Sequence, residues 1–311
     1  MAQEKQQPAP YNRDVEAFLV NVGSLEIDKL FGLNEYFRYL EDVQLRVMGF
    51  SFEELGIAER RHSCNPKMLV PAEGPAGTFR FVDRWNVYDT NETQPGSIAL
   101  LKLQGVMRAQ SGLSSPGVDR MVSDLRAAYA NQNVDGIIIE TNSGGGESMA
   151  GTMLKSAILE RNKPVVGFAH LAASAAYRAL SGADEILGSG PSSEFGSIGT
   201  MVTLDAKMLS KYKERFMDFY GKDAPEKNGD FRAVILDDFS KIQNRVDTLT
   251  EAFQAEIKRD RNLQGDAATI KETLNGSVWN AIDSKKRGLV DMIGTMQTAV
   301  KRVKALRGKY K

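Results

Sequence analysis

The spacing of apolar positions changes along this chain, and the changes mark its organisation. From Glu16 to about Phe52, apolar residues recur at helical intervals: Ile27, Leu30, Phe31, Tyr36, Phe37, Leu40 and Val43. This period predicts one or two amphipathic helices, interrupted near Gly32–Asn34. Between residues 62 and 97 the pattern is broken by Pro66, Pro71, Gly74, Pro75, Gly77, Pro95 and Gly96. That density of turn formers predicts a linker with irregular β structure, and a boundary near Pro95–Gly96. Beyond the boundary, short continuous apolar runs alternate with helical periods. Strands are predicted over Ile98–Leu103, Gly136–Thr141 and Pro164–Ala169, with shorter ones at Glu185–Leu187, Thr200–Leu204 and Phe216–Tyr220. Helices are predicted through Val118–Tyr129, Met149–Ile158, Ser174–Gly182 and Ile242–Ile257, with short helices or turns at Ile270–Leu274 and Ser284–Val290. Strands apolar on both faces, alternating with helices, imply an α/β fold with a mostly parallel sheet covered by helices.

Composition narrows the class. The chain has 311 residues, 42% of them hydrophobic and 26% charged, enough to bury a sizeable core. Forty basic and forty acidic residues cancel, so no global field recruits nucleic acid or an anionic membrane. One cysteine, Cys64, rules out an internal disulfide. The polar start, MAQEKQQPAPYNRD, reads as disordered and has no apolar core of a secretory signal. No run approaches the ~20 apolar residues of a membrane span. The final segment, AVKRVKALRGKYK, carries six basic residues and no acidic one. It reads as a solvated helix face or a contact to an assembly partner.

The candidate chemistry lies between residues 136 and 204. The first strand runs into Ser143–Gly146, a serine and three glycines before a helix. Bare backbone N–H groups there suit a phosphate cradle, an oxyanion hole or a turn without chemistry. The spacing is not GxGxxG and no Gly-Lys-Ser/Thr follows, which disfavours a nucleotide. As an oxyanion hole, Gly145 and Gly146 would each supply a donor worth ~3–4 kcal/mol in the transition state. The second strand runs into Ser174, flanked by Ala172, Ala173, Ala175 and Ala176. A serine at a helix start is ordinarily an N-cap. Here small neighbours leave room for a substrate backbone, which also admits a nucleophile. The chain has two histidines, His62 and His170, and none follows Ser174. A Ser-His-Asp triad in the usual order is therefore disfavoured, with His170 read as packing or bonding locally. A lysine base remains, and it must be largely neutral, about three units below the ~10.4 of a free lysine. Spacing alone selects no particular lysine.

Four stretches taken in order resemble the signal peptide peptidase A (protease IV) family of serine peptidases and its phage relatives. They are IIIETNSGGGES, AASAAYRALSGADEI, GSIGTM and GSVWNAIDSKKRGLVDMIG. The resemblance covers residues 97–295 and implies a Clp/crotonase-like fold for that part. It divides the chain into an N-terminal extension (1–96), a Ser-Lys peptidase domain (97–295) and the basic tail (296–311). It implies Ser174 as the nucleophile and Gly145, with Gly146, as the oxyanion side. Lys227 in KDAPEKN stands at the position of the general base, and Ser197 at that of a serine bonding the lysine. Lys222 competes for the base, because the family's local Gly-x-x-Lys pattern is not kept. Gly144 stands where the family has proline, and Ala175 and Ala176 where it has glycines. The implied function is a serine endopeptidase without cofactor or metal, acting on polypeptides. The implied partner is a homo-oligomeric ring in which neighbouring subunits share the dyad. No membrane anchor and no nucleic acid are expected, and the setting is the cytoplasm or a phage procapsid, with capsid or scaffold proteins as substrates or the clearing of peptides as the role. The alternatives are a non-catalytic assembly protein of the same fold and an acyl-CoA hydratase/isomerase-like or Clp-like enzyme.

Overall fold

The computed structural model describes residues 67–71, 79–82, 93–111 and 116–310. The helices expected between residues 16 and 52, together with His62 and Cys64, lie outside the described residues. The chain divides into two compact units, Met1–Ser51 with Val202–Arg245, and Phe52–Met201 with Val246–Lys311.

The larger unit is built on a sheet of nine strands among the described residues. They are β1 (Lys67–Pro71), β2 (Phe79–Val82), β3 (Ser97–Met107), β4 (Val134–Gly146), β5 (Val165–Ala173), β6 (Glu185–Gly188), β7 (Glu194–Gly196), β8 (Val278–Asn280) and β9 (Met292–Ile293). The order is β2-β1-β3-β4-β5-β6-β9, with β7 joining β5 and β8 joining β7. From β3 to β9 the ladder is parallel, and β1 and β2 add an antiparallel edge. The expected mostly parallel sheet is therefore present. Its central register aligns Leu100, Ile138 and Val166, with Ala99, Ile137 and Val165 beside them.

Both faces of these strands are covered, which is why their apolar runs are continuous rather than alternating. On one face Ala99, Leu101, Ile137 and Ile139 share a core with α1 (Val118–Ala130), α2 (Ser148–Leu159) and α3 (Ala175–Leu180). Leu154 and Ile158 of α2 are fully buried there, each stabilising by roughly 1.5–3 kcal/mol. On the other face Ile98, Leu100, Ile138 and Val166 pack with the last α-helix of the chain, Met296–Leu306. That helix occupies most of the segment read as a basic tail. Its Ala299, Val300, Val303 and Leu306 are buried, and a Cβ at Gly136 would lie 2.5 Å from Val303. The basic residues have carboxylates of the sheet to meet: Arg302 bonds Glu185 (Nε to Oε2, 2.6 Å) and Arg307 pairs with Asp135 at 2.7 Å. Charge count obscured an apolar stripe with helical spacing.

Two expected strands are absent. Residues 200–204 and 216–220 are irregular. Met201, Met217 and Phe219 are 78%, 84% and 90% exposed. A short apolar run becomes a strand only where a neighbour takes its backbone hydrogen bonds. Conversely, β7 and β8 are strands of three residues each, too short to give a period.

The described part of the smaller unit, residues 202–245, contains α4 (Ala206–Arg215), α5 (Gly229–Ile235) and the start of α6 (Ser240–Asp260), which the division cuts after Arg245. Asp205 caps α4 by accepting from the Lys207 and Met208 N–H groups. The Tyr212 ring meets Phe231 edge-on at 4.9 Å. Two short helices, α7 (Ala267–Thr273) and α8 (Ala281–Lys286), complete the larger unit. Numbered in this series, Met296–Leu306 is α9. No helix among the described residues is long and apolar enough to cross a membrane.

Asp124 on α1 is buried among the apolar positions of that helix. Burial pushes its carboxyl up from 3.8 to about 6, with Arg120 opposing. The raised folded-state value means ionisation is resisted in the folded protein. The ionised form thus costs stability above pH 6, and the cost disappears as the pH falls below the unfolded value. Asp124→Asn is expected to stabilise the protein by roughly 1–2 kcal/mol at pH 8 and not at pH 3.5. Thermal unfolding at the two pH values checks this, and an equal change at both would remove the assignment.

Candidate active site

The site lies at the carboxyl ends of β4, β5 and β7, where parallel α/β sheets commonly place ligands. The Ser143–Gly146 stretch is not a free turn. It forms the last four residues of β4, which runs five residues beyond the expected strand, and it pairs with β3 (Val106 with Gly145, Met107 with Gly146) and β5 (Ser143 with Ala172). A bulge between Gln104 and Val106, with Gly105 at φ 72°, lets β3 follow it. Ser143 locks this arrangement. Its buried hydroxyl donates to the Gly105 carbonyl at 2.6 Å and accepts from the Gly145 N–H at 3.1 Å. The Gly145 N–H is therefore already partnered, at the long end of the normal range.

The glycines are required by close approach. At Gly145, φ is +99°, and a Cβ would lie 2.7 Å from the Ser174 Cβ, 2.8 Å from the Ala173 carbonyl oxygen and 2.9 Å from the Ala175 nitrogen. At Gly146 a Cβ would lie 2.1 Å from the Met107 carbonyl oxygen. At Gly144 it would meet nothing within 4 Å, so the family's proline position places no demand for a small residue here. The two small-residue segments thus meet directly, with Gly145 against Ser174.

Ser174 sits at the N-cap position of α3 with φ 53° and ψ −124°, and it makes no side-chain capping bond. The ordinary reading of a helix-start serine does not hold for this one. A positive φ in a residue with a Cβ costs on the order of 1–3 kcal/mol and persists only where its surroundings enforce it. They do so here. The Ser174 N–H donates to the Gly196 carbonyl at 2.8 Å, and its carbonyl accepts from the Arg178 N–H at 2.9 Å. Tyr177 is fully buried and donates its hydroxyl to the Leu289 carbonyl at 2.8 Å, anchoring the short helix. Ala175, where the family has glycine, is accommodated because Gly151 of α2 lies opposite. A Cβ there would be 2.7 Å from the Ala175 carbonyl oxygen.

Ser197 follows directly. It also has a positive φ, 53°, and its N–H donates to the Ser277 carbonyl at 2.8 Å. Pairing of Ala173 with Gly196 brings this turn beside Ser174. Gly145, Ser174 and Ser197 are therefore assembled within the larger unit, with Gly146 beside them at the end of β4, paired with Met107 of β3. Lys227 and Lys222 belong to the smaller unit, where both are exposed on the turns before α5. The turn is held in place by Lys241 to Glu226 at 2.6 Å and Arg232 to the Pro225 carbonyl at 2.8 Å. His170 bonds locally, as expected: its Nδ1 is 2.6 Å from Ser189 Oγ and its Nε2 is 3.7 Å from Glu140. Among the described residues, no group of three or more His, Cys, Asp or Glu side chains is placed to hold a metal ion.

A largely enclosed charge cluster, not evident in the sequence, lies beside the site. Lys155 of α2 is 4% exposed and bonds Glu256 and Asp260 of α6. Arg178 of α3 bonds the same Glu256 (Nε to Oε2, 2.8 Å). Burial works to raise the Glu256 carboxyl, but the hydrogen bonds and charges of Arg178 and Lys155 outweigh it and hold it below its usual value. Lys155 is thereby engaged with two carboxylates and is not offered to Ser174 as a base.

Residues 230–309 match the model of Peptidase family S49. The chain is 25% identical to the chloroplastic serine protease SPPA of Arabidopsis thaliana over 303 residues, covering 92% of this chain and 42% of the plant protein. It is 25% identical to Protease 4 of Haemophilus influenzae over 219 residues, covering 68% of this chain and 35% of that protein. The chain is therefore similar to the signal peptide peptidase A family of serine peptidases, with the family S49 match confined to its C-terminal part. The family match takes in β8, α8 and α9 and ends before reaching back to Ser174, so it does not itself assign the site. The chain spans less than half the length of these two relatives. Among solved structures, the 1510-N membrane-bound stomatin-specific protease is similar with a TM-score of 0.42 and 12% identity, over 68% of this chain and 84% of that one.

Proposed function

We propose that this chain is a serine endopeptidase of the S49 type that uses Ser174 as nucleophile and Lys227 as general base. The observation that carries the reading is Ser174 itself, held without a capping bond at φ 53°, ψ −124° against Gly145. This is the strained strand-to-helix geometry that presents a nucleophilic serine at the top of a sheet. In the proposed reaction Lys227 takes the hydroxyl proton and Ser174 Oγ attacks the peptide carbonyl. The tetrahedral oxygen gathers its negative charge beside the Gly145 N–H. Collapse expels the amine, which receives the proton from Lys227, and water then hydrolyses the acyl-serine by the reverse proton movement. Ser197 orients the lysine amine.

Lys227 is chosen over Lys222 by its place in the family pattern. Lys227→Ala is expected to lower hydrolysis of fluorogenic casein by ~10²–10⁴-fold, the usual worth of a general base. Lys222→Ala is expected to stay within about threefold of the parent. The reverse ranking would transfer the base to Lys222, and full activity in both variants would remove the dyad.

The proposed assembly is a ring in which neighbouring copies share the dyad. Met217, Phe219 and Leu236 of the smaller unit, 84%, 90% and 79% exposed, are the kind of apolar side chains a neighbour covers. Phage capsid or scaffold proteins, in the cytoplasm or the procapsid, are the proposed substrates and setting. That part of the reading rests on the sequence resemblance.

A further inference from the structure

Two helices carry the two halves of the site. Helix α2 follows the glycine strand, and helix α3 follows Ser174. They meet at a tight crossing, with the Gly151 and Ala175 backbones in close approach. Helix α3 has six residues, far too few to hold its own conformation, so its position is set by what surrounds it. The surroundings include one carboxylate that binds both helices. Glu256 Oε1 accepts from Lys155 Nζ on α2, and Glu256 Oε2 accepts from Arg178 Nε on α3 at 2.8 Å. The Arg178 guanidinium reaches back across the crossing to Ser148 Oγ, the first residue of α2, at 3.2 Å. Asp260, one turn further along α6, takes the second bond of Lys155 and accepts from Ser181 Oγ at the end of α3 at 3.2 Å. Two cations thus share two carboxylates in a largely enclosed cluster, and the exposed Arg259 adds a bond to Asp260 Oδ1 at 3.1 Å from the solvent side.

Such a cluster is a poor choice for stability alone. Removing four charged groups from water carries a large penalty, and apolar side chains of the same bulk commonly do as well or better. What charged hydrogen bonds supply and apolar contacts do not is fixed direction. Each oxygen of Glu256 is aimed at a different helix, and the α3 cation lies one turn from Ser174.

We propose that Glu256 is a positioning residue of the peptidase: by holding Lys155 and Arg178 on one carboxylate it fixes α3 against α2, and so Ser174 against Gly145. This rests on the reading of Ser174 as nucleophile. Without the Glu256 charge, Lys155 keeps Asp260 but Arg178 loses its carboxylate partner, and the repulsion between the two cations opens the crossing. The segments that move are those bearing the glycine strand and the serine.

The test uses the full chain with Glu256→Gln, which keeps the bulk and removes the charge, and the double variant Lys155→Met/Glu256→Gln, which restores charge balance. The measurements are the rate of Ser174 acylation by a fluorophosphonate probe, kcat and KM on a fluorogenic casein peptide, and amide hydrogen exchange over residues 143–151 and 172–181. Glu256→Gln is expected to slow acylation and kcat by ~10–100-fold, the range expected of a misplacement of about 1 Å. KM should stay within about twofold, and exchange should quicken in both segments. The double variant is expected to recover acylation to within about threefold. Parent-like acylation or unchanged exchange in Glu256→Gln overturns the proposal. So does a loss that the double variant does not recover, since that is general destabilisation. Labelling that persists in Ser174→Ala would instead overturn the nucleophile reading, while the exchange data would still report whether Glu256 fixes the two helices.

Discussion

Ser174→Ala is expected to lower casein hydrolysis by at least ~10⁴-fold while leaving the melting temperature within a degree or two. The size follows from what the hydroxyl does in the proposed reaction. Removing a nucleophile eliminates the covalent route, and the residual rate reflects binding and oxyanion stabilisation alone. The lack of effect on folding follows from the structure. Ser174 makes no side-chain capping bond, so alanine loses no cap, and its Cβ occupies the place the serine Cβ already has. The backbone at φ 53° is as strained for alanine as for serine. Hydrolysis and a thermal melt on the same sample check both parts. Undiminished hydrolysis by the folded variant would sink the assignment of the nucleophile.

Gly145→Ala is expected to be nearly as damaging, by at least ~10²-fold in kcat, with a loss of stability of about 1–3 kcal/mol. The new methyl would lie 2.7 Å from the Ser174 Cβ, 2.8 Å from a carbonyl oxygen and 2.9 Å from a backbone nitrogen. Two of those three atoms are backbone and cannot swing aside, so the serine turn itself must shift. The residue also holds φ +99°, which a side chain opposes. Gly144→Ala is the matched control. It faces open space, and its activity is expected to remain within about twofold of the parent. Equal effects from the two substitutions would show that general flexibility of the glycine run, not contact with Ser174, is what matters.

Legibility in the sequence followed the range of the interaction. The strands through Ile98, Ile138 and Val166 were readable because burial on both faces produces local apolar runs, and α2 and α6 because a helical period spans many residues. The strands expected at 200–204 and 216–220 failed for the converse reason: a few apolar residues in a row do not specify a partner. The buried face of helix α9 was hidden by its charge, although Ala299, Val300, Val303 and Leu306 have the spacing of a buried stripe.

For the site, the residue types were visible and the reasons for them were not. Ser174, Ser197 and the glycine run could be singled out by small neighbours, by the shortage of histidine and by an ordered resemblance. All of these are properties of the chain alone. Tertiary structure decided that Gly145 is glycine because Ser174 stands against it, that Ser143 locks the strand, and that Ser174 is an uncapped helix start. It also decided that Arg178 finds Glu256 across 78 residues and Lys155 finds Asp260 across 105. A periodic pattern records which face of an element is buried. It carries no record of which distant charge or backbone atom will be across the interface, because that depends on how the elements pack.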